Sequence, residues 1–97
     1  MTKYFLSAVA EQDIDEIVTY IAQENTDAAI TLLDAMYQAM GMLAENPELG
    51  YKREFVKHKS VRFWPFKWHY LIVYKDCPPI EIIRVLSGYR DIPNLLN

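Results

Sequence analysis

Between Lys52 and Lys67 the chain places six cations, Lys52, Arg53, Lys57, Lys59, Arg62 and Lys67, against one acid, Glu54. Aromatic rings are threaded through and beyond them at Trp64, Phe66 and Trp68, followed by Arg84, Tyr89 and Arg90. Arginine, tryptophan and tyrosine are the residues that concentrate binding energy at protein interfaces. The same residues suit stacking on unpaired bases combined with phosphate contact. A plainer reading stands beside these. A sheet has two faces and one is buried, so some of these rings simply fill a core. Arg84 is open to both readings, since its stem can carry the charge to the rim of an apolar strand or bring it to a carboxylate.

Other chemistries find little support. His58 and His69 have no cysteine or carboxylate at metal-ligand spacing, so no metal site is expected. Cys77 is the one cysteine, which rules out a disulfide or a cysteine-based metal site within one chain. Gly41, Gly50 and Gly88 stand apart and form no phosphate-binding loop. Ser7, Ser60 and Ser87 lack a nucleophile elbow. The carboxylates fall mostly on the solvent faces of helices. No catalytic residue and no cofactor is therefore assigned.

A net charge of -3 conceals a strong polarity. Residues 1–50 carry nine acids against Lys3, a net of -8, whereas residues 51–70 carry a net of +5 and the remainder balances. A basic stretch beside an acidic half focuses potential toward an anionic partner. With 97 residues, 52% of them hydrophobic, the chain is long enough to bury a real core, and one domain spanning residues 1–97 is expected. The opening "MTKYFLSAVAEQDIDE" has too short an apolar run before its acids for a signal peptide. No stretch approaches the ~20 apolar residues of a membrane span. A cytoplasmic protein without membrane contact is expected.

The elements that must position the cations and rings follow from periodicity. A short strand at residues 3–6 leads to Ser7, placed to cap a helix in which Ala10, Ile14, Ile17, Val18 and Ile21 recur at helical spacing. Asn25-Thr26-Asp27 breaks this helix and caps a second, whose stripe is read as Ile30, Leu33, Met36, Tyr37, Met40 and Leu43. Asn46-Pro47 and Gly50 end it. So short a turn makes an antiparallel helical hairpin. From Lys59 the period becomes two: "SVRFW" and "HYLIVY" are strands separated by Pro65-Phe66-Lys67, and "IEIIRVL" follows the turn at residues 76–79. In the last strand, Ile83 and Val85 are expected on one face and Ile82, Arg84 and Leu86 on the other. The order β-α-α-β-β-β predicts an α+β fold: an antiparallel sheet with the hairpin on one face, the other face free for a partner, and a short C-terminal helix from about Asp91.

Four segments together, in order, resemble a ParE-type toxin of the RelE/ParE superfamily, the toxic half of bacterial toxin–antitoxin pairs. "LSAVAEQDIDEIVTYI" resembles the family's first helix and "LAENPELG" the end of its second. "VRFWPF" with "HYLIVY" resembles the central hairpin, and "IEIIRVLSGYRDIPNLL" the closing strand and tail, with Ser87 and Tyr89 replacing two of the usual residues. The hairpin departs from the family's usual glycine turn, reading Pro65-Phe66-Lys67-Trp68.

The resemblance implies a type II toxin that inhibits DNA gyrase and blocks replication, an activity associated with plasmid stabilisation. It implies a cognate antitoxin, ParD-like and of the ribbon-helix-helix type, as a second partner, with no direct nucleic-acid binding. Target contact is assigned to Tyr89, Arg90, Asp91, Leu95 and Leu96. Antitoxin contact is assigned to Arg62, Trp64, Phe66, Arg84 and Arg90. Two alternatives go with it: a RelE-like ribosome-dependent mRNA endoribonuclease, and a non-toxic antitoxin-binding module. The nucleases tend to carry an arginine three residues before the tyrosine equivalent to Tyr74, where this chain has Leu71, and a tyrosine where it has Leu96. Lys52, Arg53, Lys57 and Lys59 do lie in the loop where nucleases keep catalytic lysines.

Overall fold

The computed structural model describes residues 4–52, 60–66 and 70–87. Its elements are strand β1 (Tyr4–Leu6), helices α1 (Ala8–Ala22) and α2 (Thr26–Glu45), a 3-10 turn (Pro47–Leu49), and strands β2 (Val61–Phe66), β3 (Tyr70–Lys75) and β4 (Ile80–Ser87). The strands form one sheet in the order β1-β4-β3-β2; β1 runs parallel to β4 and the other pairs are antiparallel. This is the expected α+β architecture, with the helical hairpin laid on one face. The C-terminal helix expected from Asp91 lies outside the described residues.

Ser7 joins the two layers. Its hydroxyl oxygen accepts the Ala10 N–H at 2.9 Å, capping α1, and donates to the Ile83 carbonyl at 2.8 Å. Asn25 caps α2 in the same way, its side-chain oxygen accepting the Ala28 N–H at 2.9 Å. Each cap satisfies a donor that the first helical turn otherwise leaves without a partner. Ala10 and Ile14 are buried on α1, with Ile17, Val18 and Ile21 half-buried beside them, as the spacing predicts.

In α2 the buried row is Ala29, Leu32, Met36, Met40 and Leu43. The predicted stripe is thus rotated: Ile30 and Tyr37 are exposed, at 55% and 43%. This helix is apolar over so wide an arc that two adjacent stripes satisfy the 3.6-residue period. Tertiary contact chooses between them.

The sheet departs from expectation in three places. Pro65 and Phe66 belong to β2 and do not interrupt it, pairing with Leu71 and Tyr70. β2 is an edge strand, and Phe63 exchanges backbone hydrogen bonds with Tyr51 on the outer side. Pro65 is in phase with Phe63, so its missing N–H falls on that outer side and no ladder bond is lost. Second, the pairing slips between Val73 and Tyr74, which face Arg84 and Ile82. The extra residue in β4 undoes strict alternation. Ile80, Ile82 and Val85 therefore pack with the helices, and Ile83 and Leu86 with the opposite cluster. Third, the face away from the helices is not bare. Val61, Phe63, Leu71, Val73 and Leu86 are all buried there, and the Tyr51 ring stacks on Phe63.

Candidate partner-binding surface

Alternation along β2 puts Arg62, Trp64 and Phe66 on the helix-facing side. Since β2 lies farthest from β1 in the sheet, Trp64 and Phe66 are only half-buried against the core. Phe66 also meets Tyr70, ring centroids 5.9 Å apart. These two large rings, like Arg62 and Arg84, keep part of their area accessible.

Arg62 is held from three sides. Its Nε lies 2.7 Å from an Asp76 carboxylate oxygen, and its Nη1 donates to the carbonyls of Glu48 and Gly50 at 3.1 and 2.8 Å. The guanidinium thus ties the 3-10 turn to the β3–β4 corner. Beneath it, the fully buried Tyr74 hydroxyl donates to the Pro47 carbonyl at 2.6 Å and accepts the Gly50 N–H at 2.8 Å. These five bonds fix residues 47–50, directly before the basic stretch that begins at Lys52.

Burial pushes the Tyr74 phenol above its ordinary value, and the Gly50 hydrogen bond and Arg62 charge oppose this. In the unfolded chain that phenol ionises at about pH 10. The unfolded state therefore sheds its proton first, and the stability contributed by a neutral Tyr74 is complete below about pH 10 and is lost as pH rises through the folded value. Tyr74→Phe leaves a buried N–H and carbonyl without their partner and should cost about 1–3 kcal/mol at neutral pH. It should also flatten part of the alkaline loss; Tyr4 and Tyr70, raised by burial as well, retain their share. Urea midpoints measured from about pH 9 to about pH 11 for both proteins test this.

Arg84 is likewise engaged within the fold. Its Nε and Nη2 meet the two oxygens of Asp13 on α1 at 2.8 and 2.9 Å, and the same carboxylate accepts the Val85 N–H at 3.0 Å. The hydrogen bond to Asp13 raises the guanidinium pKa above its ordinary value, with burial opposing it and the charges of Asp13 and Glu16 adding to the rise. Of the two sequence readings of Arg84, pairing with a carboxylate is the one observed.

Arg62 and Arg84 therefore stand on different strands, each with a carboxylate of its own, and are not gathered into one cationic patch. Arg90, Tyr89, Asp91, Leu95 and Leu96 lie outside the described residues. Among the described residues no group of three potential metal ligands occurs, and no helix is long and apolar enough to cross a membrane. Sequence reasoning gave no structural role to Asp13 or Asp76 and used Tyr74 only as a point of alignment. A lone acid on the inner side of α1 and a tyrosine at the end of the aliphatic run Leu71–Val73 were the available signals.

A family model described as the ParE toxin of the type II toxin–antitoxin system parDE matches residues 4–92. Among solved structures, the fold is similar to a chain of the chromosomal ParDE toxin–antitoxin system from P. aeruginosa. The TM-score is 0.72 at 17% identity, over 92% of this chain and 98% of that one. No curated protein sequence matches.

Proposed function

Because the chain belongs to the ParE toxin family of type II toxin–antitoxin systems, we propose that it inhibits DNA gyrase, stalls replication, and is held inactive by a cognate ParD-like antitoxin in the cytoplasm. The family match over residues 4–92 carries this reading. Two further observations support inhibition over RNA cleavage. The position where related nucleases tend to carry an arginine is Leu71, fully buried between strands, so no cation there can stabilise a phosphorane. The described arginines, moreover, are paired within the fold and are not directed at a common point where a phosphate would sit.

In this reading Tyr89, Arg90, Asp91, Leu95 and Leu96 meet the target, Trp64 and Phe66 offer apolar contact to the antitoxin, and Arg62 and Arg84 hold the surface in shape. Pulse-labelling of DNA and protein synthesis after induction in a bacterium lacking the antitoxin tests it. DNA synthesis should stop first, with DNA-damage signalling. Protein synthesis stopping first, with cleavage inside mRNA codons, would instead establish the ribosome-dependent endoribonuclease and direct mutagenesis to Lys52, Arg53, Lys57 and Lys59. No change in either marks a non-toxic antitoxin-binding module. Arg90→Ala should abolish growth arrest while leaving the thermal melt unchanged; a folded, fully toxic variant would contradict its assignment.

A further inference from the structure

Asp13, Glu16, Ile17 and Tyr20 recur on α1 at the three- and four-residue spacing that lines one helical face. Asp13 fixes where that face points, because its carboxylate holds Arg84 and the Val85 N–H. The row therefore runs along the end of β4. Between helix and strand lies a pocket of about 370 Å³, bordered by Glu16 and Ile17 on one side and by Arg84, Val85 and Ser87 on the other. That is the small end of the range for ligand clefts, ~300–1,000 Å³, and it suits one long side chain better than a folded segment.

The charges of the pocket do not cancel. Both oxygens of Asp13 meet the Arg84 guanidinium, which leaves Glu16 as the surplus. Glu16 is exposed and makes no ion pair among the described residues. From Ala8 to Glu45 there is no lysine, arginine or histidine to neutralise it from the helical side. An anionic ligand would meet two carboxylates against one guanidinium, whereas a cation finds an unshared partner.

Tyr20, one turn beyond Glu16, completes the row. It is 70% exposed, more than any other large hydrophobic side chain among the described residues. The Tyr70 phenol is raised first by burial and then by Tyr20, which places Tyr20 near the residue that pairs with Ser87 across the sheet. The face of such a ring attracts an ammonium or a guanidinium. Ile17, half-buried between Glu16 and Tyr20 in the row, supplies apolar surface for an alkyl stem. Tyr89 and Arg90, assigned to the target, follow Ser87 by two and three residues, so the pocket adjoins that segment in sequence.

We propose that this pocket receives one lysine or arginine side chain of the toxin's target, with its charge on Glu16, its stem on Ile17 and its head against the Tyr20 ring. The proposal rests on the gyrase reading and deepens it, adding a cation of the target to the contacts made by the terminal segment.

Supercoiling of relaxed plasmid by purified DNA gyrase is read first. Affinity for the antitoxin, the protein whose co-expression restores growth, is read second. Glu16→Lys should raise the half-inhibiting toxin concentration by about tenfold or more at low salt, with the deficit shrinking as salt is raised. Glu16→Gln should give an intermediate loss, and Tyr20→Ala a loss of about two- to fivefold at all salt concentrations. Asp34→Lys, the same change in net charge at an exposed position of α2, should inhibit within about twofold of the parent. The Glu16 and Tyr20 variants should melt with the parent and bind the antitoxin within about twofold of it. The pocket assignment is overturned if the parent inhibits gyrase and the Glu16 variants inhibit as Asp34→Lys does, or more strongly. It is overturned equally if they lose antitoxin affinity by the same factor, which would give the pocket to the antitoxin. A lower melting temperature for Glu16→Gln would give it to this chain's own cations and overturn the assignment to the target. A parent that leaves gyrase unaffected would overturn the gyrase reading, and this proposal with it.

Discussion

Asp13→Ala is expected to lower the stability of this protein by about 3 kcal/mol, because one carboxylate serves three donors. Asp13 takes both arms of Arg84 and the Val85 N–H, and its side chain is only 11% exposed against 25% for Arg84. β1 pairs with β4 only as far as Ile82, after which Ser7 and then Asp13 complete the edge of β4. Alanine would leave a mostly buried guanidinium without its hydrogen-bonded carboxylate, with only the charge of Glu16 nearby, and a strand N–H without its acceptor. For a chain of this size the loss corresponds to a melting temperature lower by roughly 15 °C. Asp13→Asn keeps an acceptor for Val85 but not the charge, and should fall between the two. Replacing both partners by apolar residues, as in Asp13→Leu with Arg84→Met, should recover much of the loss, since the penalty lies chiefly in the abandoned charge. Thermal melts of the parent and the three variants decide this; an alanine variant within about 1 kcal/mol of the parent would show the pair to be of surface strength.

Gly50→Ala is expected to cost about 2–3 kcal/mol for a different reason. The backbone at Gly50 is extended, with φ -67° and ψ 157°, which any residue adopts. The constraint is the Tyr74 ring. A Cβ at residue 50 would sit 2.5 Å from the Tyr74 oxygen and 2.8 and 2.9 Å from two ring carbons. The ring is fully buried and its hydroxyl is bonded on both sides, so it has no free direction in which to yield. Making room for the methyl group breaks the bonds to Gly50 and Pro47 and disturbs the carbonyl that Arg62 holds. Gly41 provides the internal comparison. It lies inside α2, and a methyl group added there would meet nothing within 4 Å, so Gly41→Ala should stabilise by about 0.5–1 kcal/mol. Urea denaturation of both variants would contradict the argument if the two shifts had the same sign.

Local chemistry is readable where a residue acts on its sequence neighbours. Ser7 and Asn25 announce helix starts by side-chain type alone, and Ala10 through Ile21 carry a period that one face accounts for. The α2 stripe is harder to place because Ile30 and Tyr37 are larger and more conspicuous than Ala29, the small residue that is in fact buried. The slip in β4 depends on how β3 pairs with it, so it has no signature in "IEIIRVL" itself. The bond between Asp13 and Arg84 joins positions 71 residues apart. Nothing near Arg84 in sequence distinguishes a paired cation from a displayed one, and Arg62, held by Asp76 and two carbonyls, presents the same ambiguity. The half-buried rings Trp64 and Phe66 are recognisable by type, whereas the pocket bordered by Glu16 and Ser87 exists only once α1 lies against β4.

The parallel pairing of β1 with β4 has a consequence for how the molecule comes into being. β1 is synthesised before the other described strands, and its partner is the last of them, so it waits through residues 7–79 before Ile80–Ile82 exist to receive it. Ser7 and Asp13 wait as well, since their acceptor and donors lie in Ile83, Arg84 and Val85. Closing a loop of that length late slows the search for the native state. It also means that a nascent or prematurely terminated chain that lacks β4 cannot close the sheet against the helical hairpin. Maturation is consequently confined to chains that have been made past β4. That leaves an interval after initiation in which the product is present but not yet folded.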